Sequence, residues 1–92
     1  MIEGVKIIKL NKHKDNRGFF KEIFRFDDQF PEVPIGQLSH SFVKKDIIKC
    51  WHGHVYQSQW NYVVNGEIKV VLIDSRNNFY KKDNKMEFLA ND

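Results

Sequence analysis

Apolar and polar residues alternate in short runs along this chain, and turn-forming residues interrupt them about every eight to twelve positions. VKIIKL (Val5–Leu10) predicts a first strand, and NKHKDNRG a polar turn punctuated by Gly18. FFKEIFRF (Phe19–Phe26) predicts a second strand. DDQFPEVPIG holds both prolines and predicts a loop. In GQLSHSFVKK, Leu38, His40 and Phe42 fall on one face of a strand, and Gln37, Ser39, Ser41 and Val43 on the other. DIIKCWHGH predicts a further short extended stretch. The strongest local pattern is QWNYVVNGEIKVVLID. There Asn65-Gly66 predicts a two-residue hairpin turn, because both residues tolerate positive φ. Trp60, Tyr62 and Val64 precede the turn on one face, and Ile68, Val70 and Leu72 follow it with the same alternation. DSRNNFYKKDNK reads as a polar connection, and Met86–Leu89 as a last short strand. No segment carries a convincing helical period.

Composition agrees with strands. The chain has eight Phe, three Tyr and two Trp, and its one alanine is Ala90. Many short strands separated by turns predict an all-β fold, a sandwich or jelly-roll barrel, in a single domain spanning residues 1–92. Five or six strands close such a barrel incompletely. The missing neighbours are expected from a second subunit, making a homodimer, or from a further half of a longer chain. Trp51, Trp60 and Tyr62 are expected in the barrel core, and Cys50 as a small buried apolar residue.

Fifteen basic and twelve acidic residues leave a net charge of +3. The lysines are scattered, with short pairs only at Lys44-Lys45 and Lys81-Lys82, so no basic tract points to nucleic acid. A single cysteine excludes an internal disulfide and a multi-cysteine zinc site. The opening MIEGVKIIKLNKHK lacks the long apolar core of a signal peptide, and no apolar run approaches a membrane span. The expectation is a soluble cytoplasmic protein with no membrane partner.

The chemistry concentrates in CWHGHVYQSQWNYVVNG, Cys50–Gly66. On a strand, His52 and His54 project to the same side. Gln59 and Gly66 follow at the spacing of the first cupin motif: H-x-H, four residues, a carboxylate, six residues, glycine. Gln59 takes the carboxylate position. A metal site would need that carboxylate and a later histidine, and neither is present. Beside the metal reading, which these absences weigh against, two others stand. The histidines are satisfied by hydrogen bonds in a polar barrel interior, or they face a ligand without metal and one acts as a base near neutral pH. His13 belongs to no motif, and His40 is a candidate for the lumen.

DNRGFFKE (Asp15–Glu22) resembles the D-x-R-G-x-F-x-E signature of the dTDP-4-dehydrorhamnose 3,5-epimerase family, with Asp15, Arg17, Gly18, Phe20 and Glu22 all in place. QLSHS (Gln37–Ser41) is similar to that family's next element, with Ser39 where asparagine is commoner. IIKCWH resembles its L-R-G-L-H segment, with Lys49 in place of arginine. NGEIKVVLIDSR resembles the strand that follows, with Asp74 and Arg76 retained.

The resemblance implies a cupin jelly roll, incomplete in this chain, and a role in deoxysugar biosynthesis for cell-surface polysaccharide. It implies a nucleotide-linked 4-keto-6-deoxy sugar as substrate and no cofactor. It places the catalytic base at His52, with His54 as a second acid/base or orienter. Substrate binding falls to Arg17, Phe20, Glu22, Gln37, Lys49 and Gln59. The 4-ketone acidifies its neighbouring C–H bonds, the histidine takes a proton, and a cation steadies the enolate. Lys49 would meet phosphate as a point charge rather than a bidentate fork.

Three departures matter. Gln59 stands where the family's enolate-stabilising lysine belongs. The loop after His52 is shorter and carries the extra His54. The family chain is about twice as long, and its second half supplies a tyrosine acid and the aspartate that orients the base. H-x-H followed by glutamine also resembles the related sugar-nucleotide 3,4-ketoisomerases. A non-catalytic cupin fragment that binds a nucleotide sugar is the alternative to an enzyme.

Overall fold

The computed structural model describes residues 2–25, 36–76 and 83–92. Among these residues the regular structure is all β, in four strands forming two antiparallel pairs. The chain divides into two compact units, Met1–Ile23 with Asn61–Asp92, and Phe24–Trp60. All four strands lie in the first.

Strands β1 (Lys12–Asp15) and β2 (Gly18–Lys21) form a hairpin closed by Asn16 and Arg17, with Asp15 opposite Gly18. The turn forms because Asp15 can bond its own backbone two residues on. The Arg17 N–H donates to Asp15 Oδ1 at 2.8 Å. Gly18 sits at φ +143°, where a side chain would be strained. His13 lies directly opposite Phe20, with ring centroids 6.4 Å apart, and the Lys12 ammonium sits 4.5 Å from the Phe19 ring centroid.

Strands β3 (Glu67–Ile73) and β4 (Lys85–Asn91) pair over their full lengths. The Asp74 N–H donates to the Asn84 carbonyl at one end, and the Asp92 N–H to the Gly66 carbonyl at the other. Ile68, Val70 and Leu72 face Ala90, Phe88 and Met86 in turn, so one face of the ladder is apolar. On the other face Glu87 lies between Lys69, at 3.3 Å, and Lys85, at 2.9 Å. These lysines hold the Glu87 carboxyl below its ordinary value, with the Lys85 hydrogen bond the largest cause.

The last strand and the alternation of β3 match the sequence pattern. The Asn65-Gly66 hairpin does not form. Gly66 has φ +95°, but Asn65 is not among the positive-φ residues that a turn of that type needs. Residues 60–64 form no strand, and β3 pairs with β4 instead, where seven partners match it. Val5–Leu10, residues 37–45 and residues 46–54 also form no strand. Alternation makes a strand only where a neighbour completes the ladder, and these segments have none among the described residues. Two tight turns punctuate them. The Val5 N–H donates to the Ile2 carbonyl with Gly4 at φ +88°, and the Ile47 N–H to the Lys44 carbonyl with Asp46 at φ 63°.

Burial follows from the same lack of neighbours. Among the described residues the buried core is Ile2, while Leu38 is 94% and Trp51 65% exposed. Trp60 is exposed, Tyr62 is half-buried, and Cys50 is exposed, so none of these expected core residues is buried. Phe26, the proline-bearing loop up to Ile35 and residues 77–82 of the polar connection lie outside the described residues.

Candidate functional site

The β1–β2 hairpin holds the first group of candidate residues. A shallow pocket of about 440 Å³ lies along it, lined by His13, Lys14, Arg17, Phe19 and Phe20 among others. Arg17 folds back on Asp15. Its Nη2 donates to Asp15 Oδ2 at 2.6 Å, and its Nε to the same oxygen at 3.2 Å. The Arg17 side chain is nonetheless 86% exposed, which leaves its other guanidinium donors facing solvent. The Arg17 guanidinium, helped by the backbone N–H groups of Arg17 and Gly18, holds the Asp15 carboxyl below its ordinary value. Strand alternation puts His13 and Phe20 on one face of the hairpin and Lys14 and Phe19 on the other, and the lining also includes the Asp15 carboxylate beside Arg17.

Arg17 and Phe20 both border this pocket, as do His13, Lys14, Asp15, Gly18 and Phe19. The sequence pattern reads NKHKDNRG as a turn throughout, whereas Lys12–Asp15 is a strand and the turn itself is only Asn16-Arg17. Glu22 follows β2 directly and is exposed.

A second D-x-R clamp closes β3. The Arg76 N–H donates to Asp74 Oδ1 at 3.0 Å, its Nε to the same oxygen at 2.8 Å and its Nη2 to Asp74 Oδ2 at 3.0 Å. Nη2 also donates to the Glu3 carbonyl at 2.7 Å, which ties the N-terminal turn to the end of the strand. The Asp74 carboxylate raises the Arg76 pKa above its ordinary value.

The other candidates belong to the unit Phe24–Trp60. Gln37 Nε2 donates to Ser39 Oγ at 2.9 Å. Lys49 is exposed and forms no ion pair among the described residues. His52 is exposed and has no hydrogen bond among the described residues, so no carboxylate orients it there. His54 does have a partner: Gln59 Nε2 lies 2.7 Å from His54 Nε2. Among the described residues no three His, Cys, Asp or Glu side chains converge as a metal site would require. No described helix is long and apolar enough to cross a membrane.

The sequence model of the family described as dTDP-4-dehydrorhamnose 3,5-epimerase matches residues 1–91. The spore coat polysaccharide biosynthesis protein SpsL of Bacillus subtilis (strain 168) is 43% identical over 76 residues, which cover 83% of this chain and 50% of SpsL. The chain thus spans about half the length of the curated relative it matches. No solved structure matches the chain. The family match covers nearly the whole chain, and the chain belongs to the dTDP-4-dehydrorhamnose 3,5-epimerase family.

Proposed function

We propose that this chain carries the nucleotide grip and the proton-abstracting histidine of an epimerase acting on a dTDP-4-keto-6-deoxy sugar. The observation that supports this reading is the hairpin of the family signature, whose turn holds an exposed Arg17 and whose second strand carries Phe20 beside the same open pocket. In this reading Arg17, Phe20 and Glu22 hold the nucleotide and its diphosphate. Gln37, Lys49 and Gln59, in the other unit, are the remaining proposed substrate-binding residues. His52 removes a proton from the carbon beside the ketone, the electron pair moves onto the ketone oxygen as an enolate, a separate acid or water delivers a proton to the opposite face, and His52 passes its own proton to solvent. His54 is the second acid/base or orienting group, and no metal takes part.

The reading includes a cupin-type framework, a homodimer and a cytoplasmic site of action. The similarity to SpsL, named for spore coat polysaccharide biosynthesis, supports a product destined for a cell-surface polysaccharide.

A second reading has its own observation. Gln59 stands where the family's cationic lysine belongs, and His52 lacks an orienting partner among the described residues. Both favour a module that binds the nucleotide sugar without turning it over.

Proton exchange separates the two. The protein is incubated with a dTDP-4-keto-6-deoxy sugar in deuterated water, and the ring protons are followed by NMR, with His52→Ala alongside. Deuterium entering beside the ketone, and lost in the variant, supports the enzyme. Nucleotide binding that survives His52→Ala, with no exchange in the parent, supports the binding module.

A further inference from the structure

We infer that Gln59 is a positioning residue that fixes the tautomer of His54, and so makes that imidazole a hydrogen-bond donor through Nδ1. The inference stands on one contact. Gln59 Nε2 and His54 Nε2 are 2.7 Å apart. An amide nitrogen only donates, so the ring nitrogen facing it must accept. An imidazole that accepts at Nε2 is neutral and keeps its proton on Nδ1.

The contact spans five positions, from His54 to Gln59, within the loop that departs from the family pattern. The same substitution that removes a cation at position 59 thereby supplies a donor for the extra histidine. In effect a lysine's charge is exchanged for a neutral relay, Gln59 N–H to His54 Nε2, with His54 Nδ1–H at its far end. The amide oxygen of Gln59 is left to accept a bond from a ligand hydroxyl. If the ligand is the ketosugar, which rests on the reading above, His54 would serve as a neutral donor toward developing oxygen charge. Proton abstraction would then fall to His52 alone. A neutral donor stabilises such charge less than a cation does, so turnover would be slower than with lysine.

The tautomer is read without any ligand. Uniformly 15N-labelled 92-residue protein is examined by two-bond 1H–15N correlation at a pH where its histidines are neutral, with His54→Ala used to assign the ring. The expected result is a protonated Nδ1 and a bare Nε2 at His54, shifting to a mainly Nε2-protonated ring in Gln59→Leu. Gln59→Glu should also protonate Nε2, because a carboxylate accepts where the amide donated. An Nε2-protonated His54 in the parent, or the same tautomer in the parent and in Gln59→Leu, overturns the assignment. Deuterium incorporation into the ketosugar judges the proposed reaction separately, so the two can fail independently.

Discussion

Arg17 and Asp15 hold each other twice, once through the Arg17 backbone N–H at 2.8 Å and once through its guanidinium at 2.6 Å. One carboxylate therefore shapes the turn and aims the side chain that borders the pocket. Asp15→Ala should weaken nucleotide binding although Asp15 carries the wrong charge for phosphate. Arg17→Lys should lower dTDP affinity by about tenfold or more, because the fork is lost while the charge remains. Titration calorimetry with dTDP checks both. Equal affinity in the parent and in Arg17→Lys would remove Arg17 from the grip.

The pH dependence follows from the same pair. The folded pKa of Asp15 lies below its ordinary 3.8, and that of Glu87 below 4.5. A lowered carboxylate pKa stabilises the fold above the unfolded value, and the contribution is lost as pH falls through the folded value. Both strand pairs should therefore hold from neutrality down to the ordinary carboxylate range and loosen below it. Amide NMR signals of β1–β2 and β3–β4 followed during acid titration would show this. Loosening that begins near pH 6 would implicate histidine instead.

Gly66 and Asn65 should respond differently to alanine. Gly66 lies at φ +95°, so Gly66→Ala should cost about 1–2 kcal/mol in urea unfolding. Asn65→Ala should cost little, because its backbone needs no special freedom. Equal costs would mean that the two-residue hairpin turn forms after all.

Val70 and Phe88 are direct cross-strand partners. A double-mutant cycle through Val70→Ala and Phe88→Ala should give a coupling of about 0.2–1 kcal/mol. A value of zero would place β4 in another register.

His52→Ala should reduce deuterium exchange into the ketosugar by about 10²- to 10⁴-fold while dTDP affinity stays within about threefold. A parallel loss of affinity would make His52 a binding residue. Cys50, which is exposed, should react with a thiol reagent in the native protein without prior unfolding.

What the sequence made legible was what local chemistry decides. Asp15 and Gly18 specify a turn by themselves, and the alternation of Ile68, Val70 and Leu72 specifies a face. The last strand, Lys85–Asn91, was visible as a short apolar alternation between polar residues. Pairing partners were not visible. Asn65-Gly66 argued for the nearest neighbour, and β3 took a more distant one whose seven residues fit it. Leu38 and Phe42 alternate well, yet they stay exposed because pattern alone supplies no facing strand. At the site, the role of Gln59 was legible only as a missing lysine. Its bond to His54 needed geometry, because five residues of loop can place a side chain almost anywhere.

The β3–β4 ladder also works as a ruler for absent neighbours. The bonds at Asp92–Gly66 and Asp74–Asn84 set the phase, so the even-numbered residues between them exchange bonds inside the pair. The amides of Glu67, Lys69, Val71 and Ile73 then point outward along one rim, and those of Lys85, Glu87, Leu89 and Asn91 along the other. In the isolated chain, hydrogen–deuterium exchange should alternate slow and fast along each strand. A rim joined by a third strand, from whatever source, would turn its fast positions slow, one every second residue, and would reveal which side of the ladder had been completed.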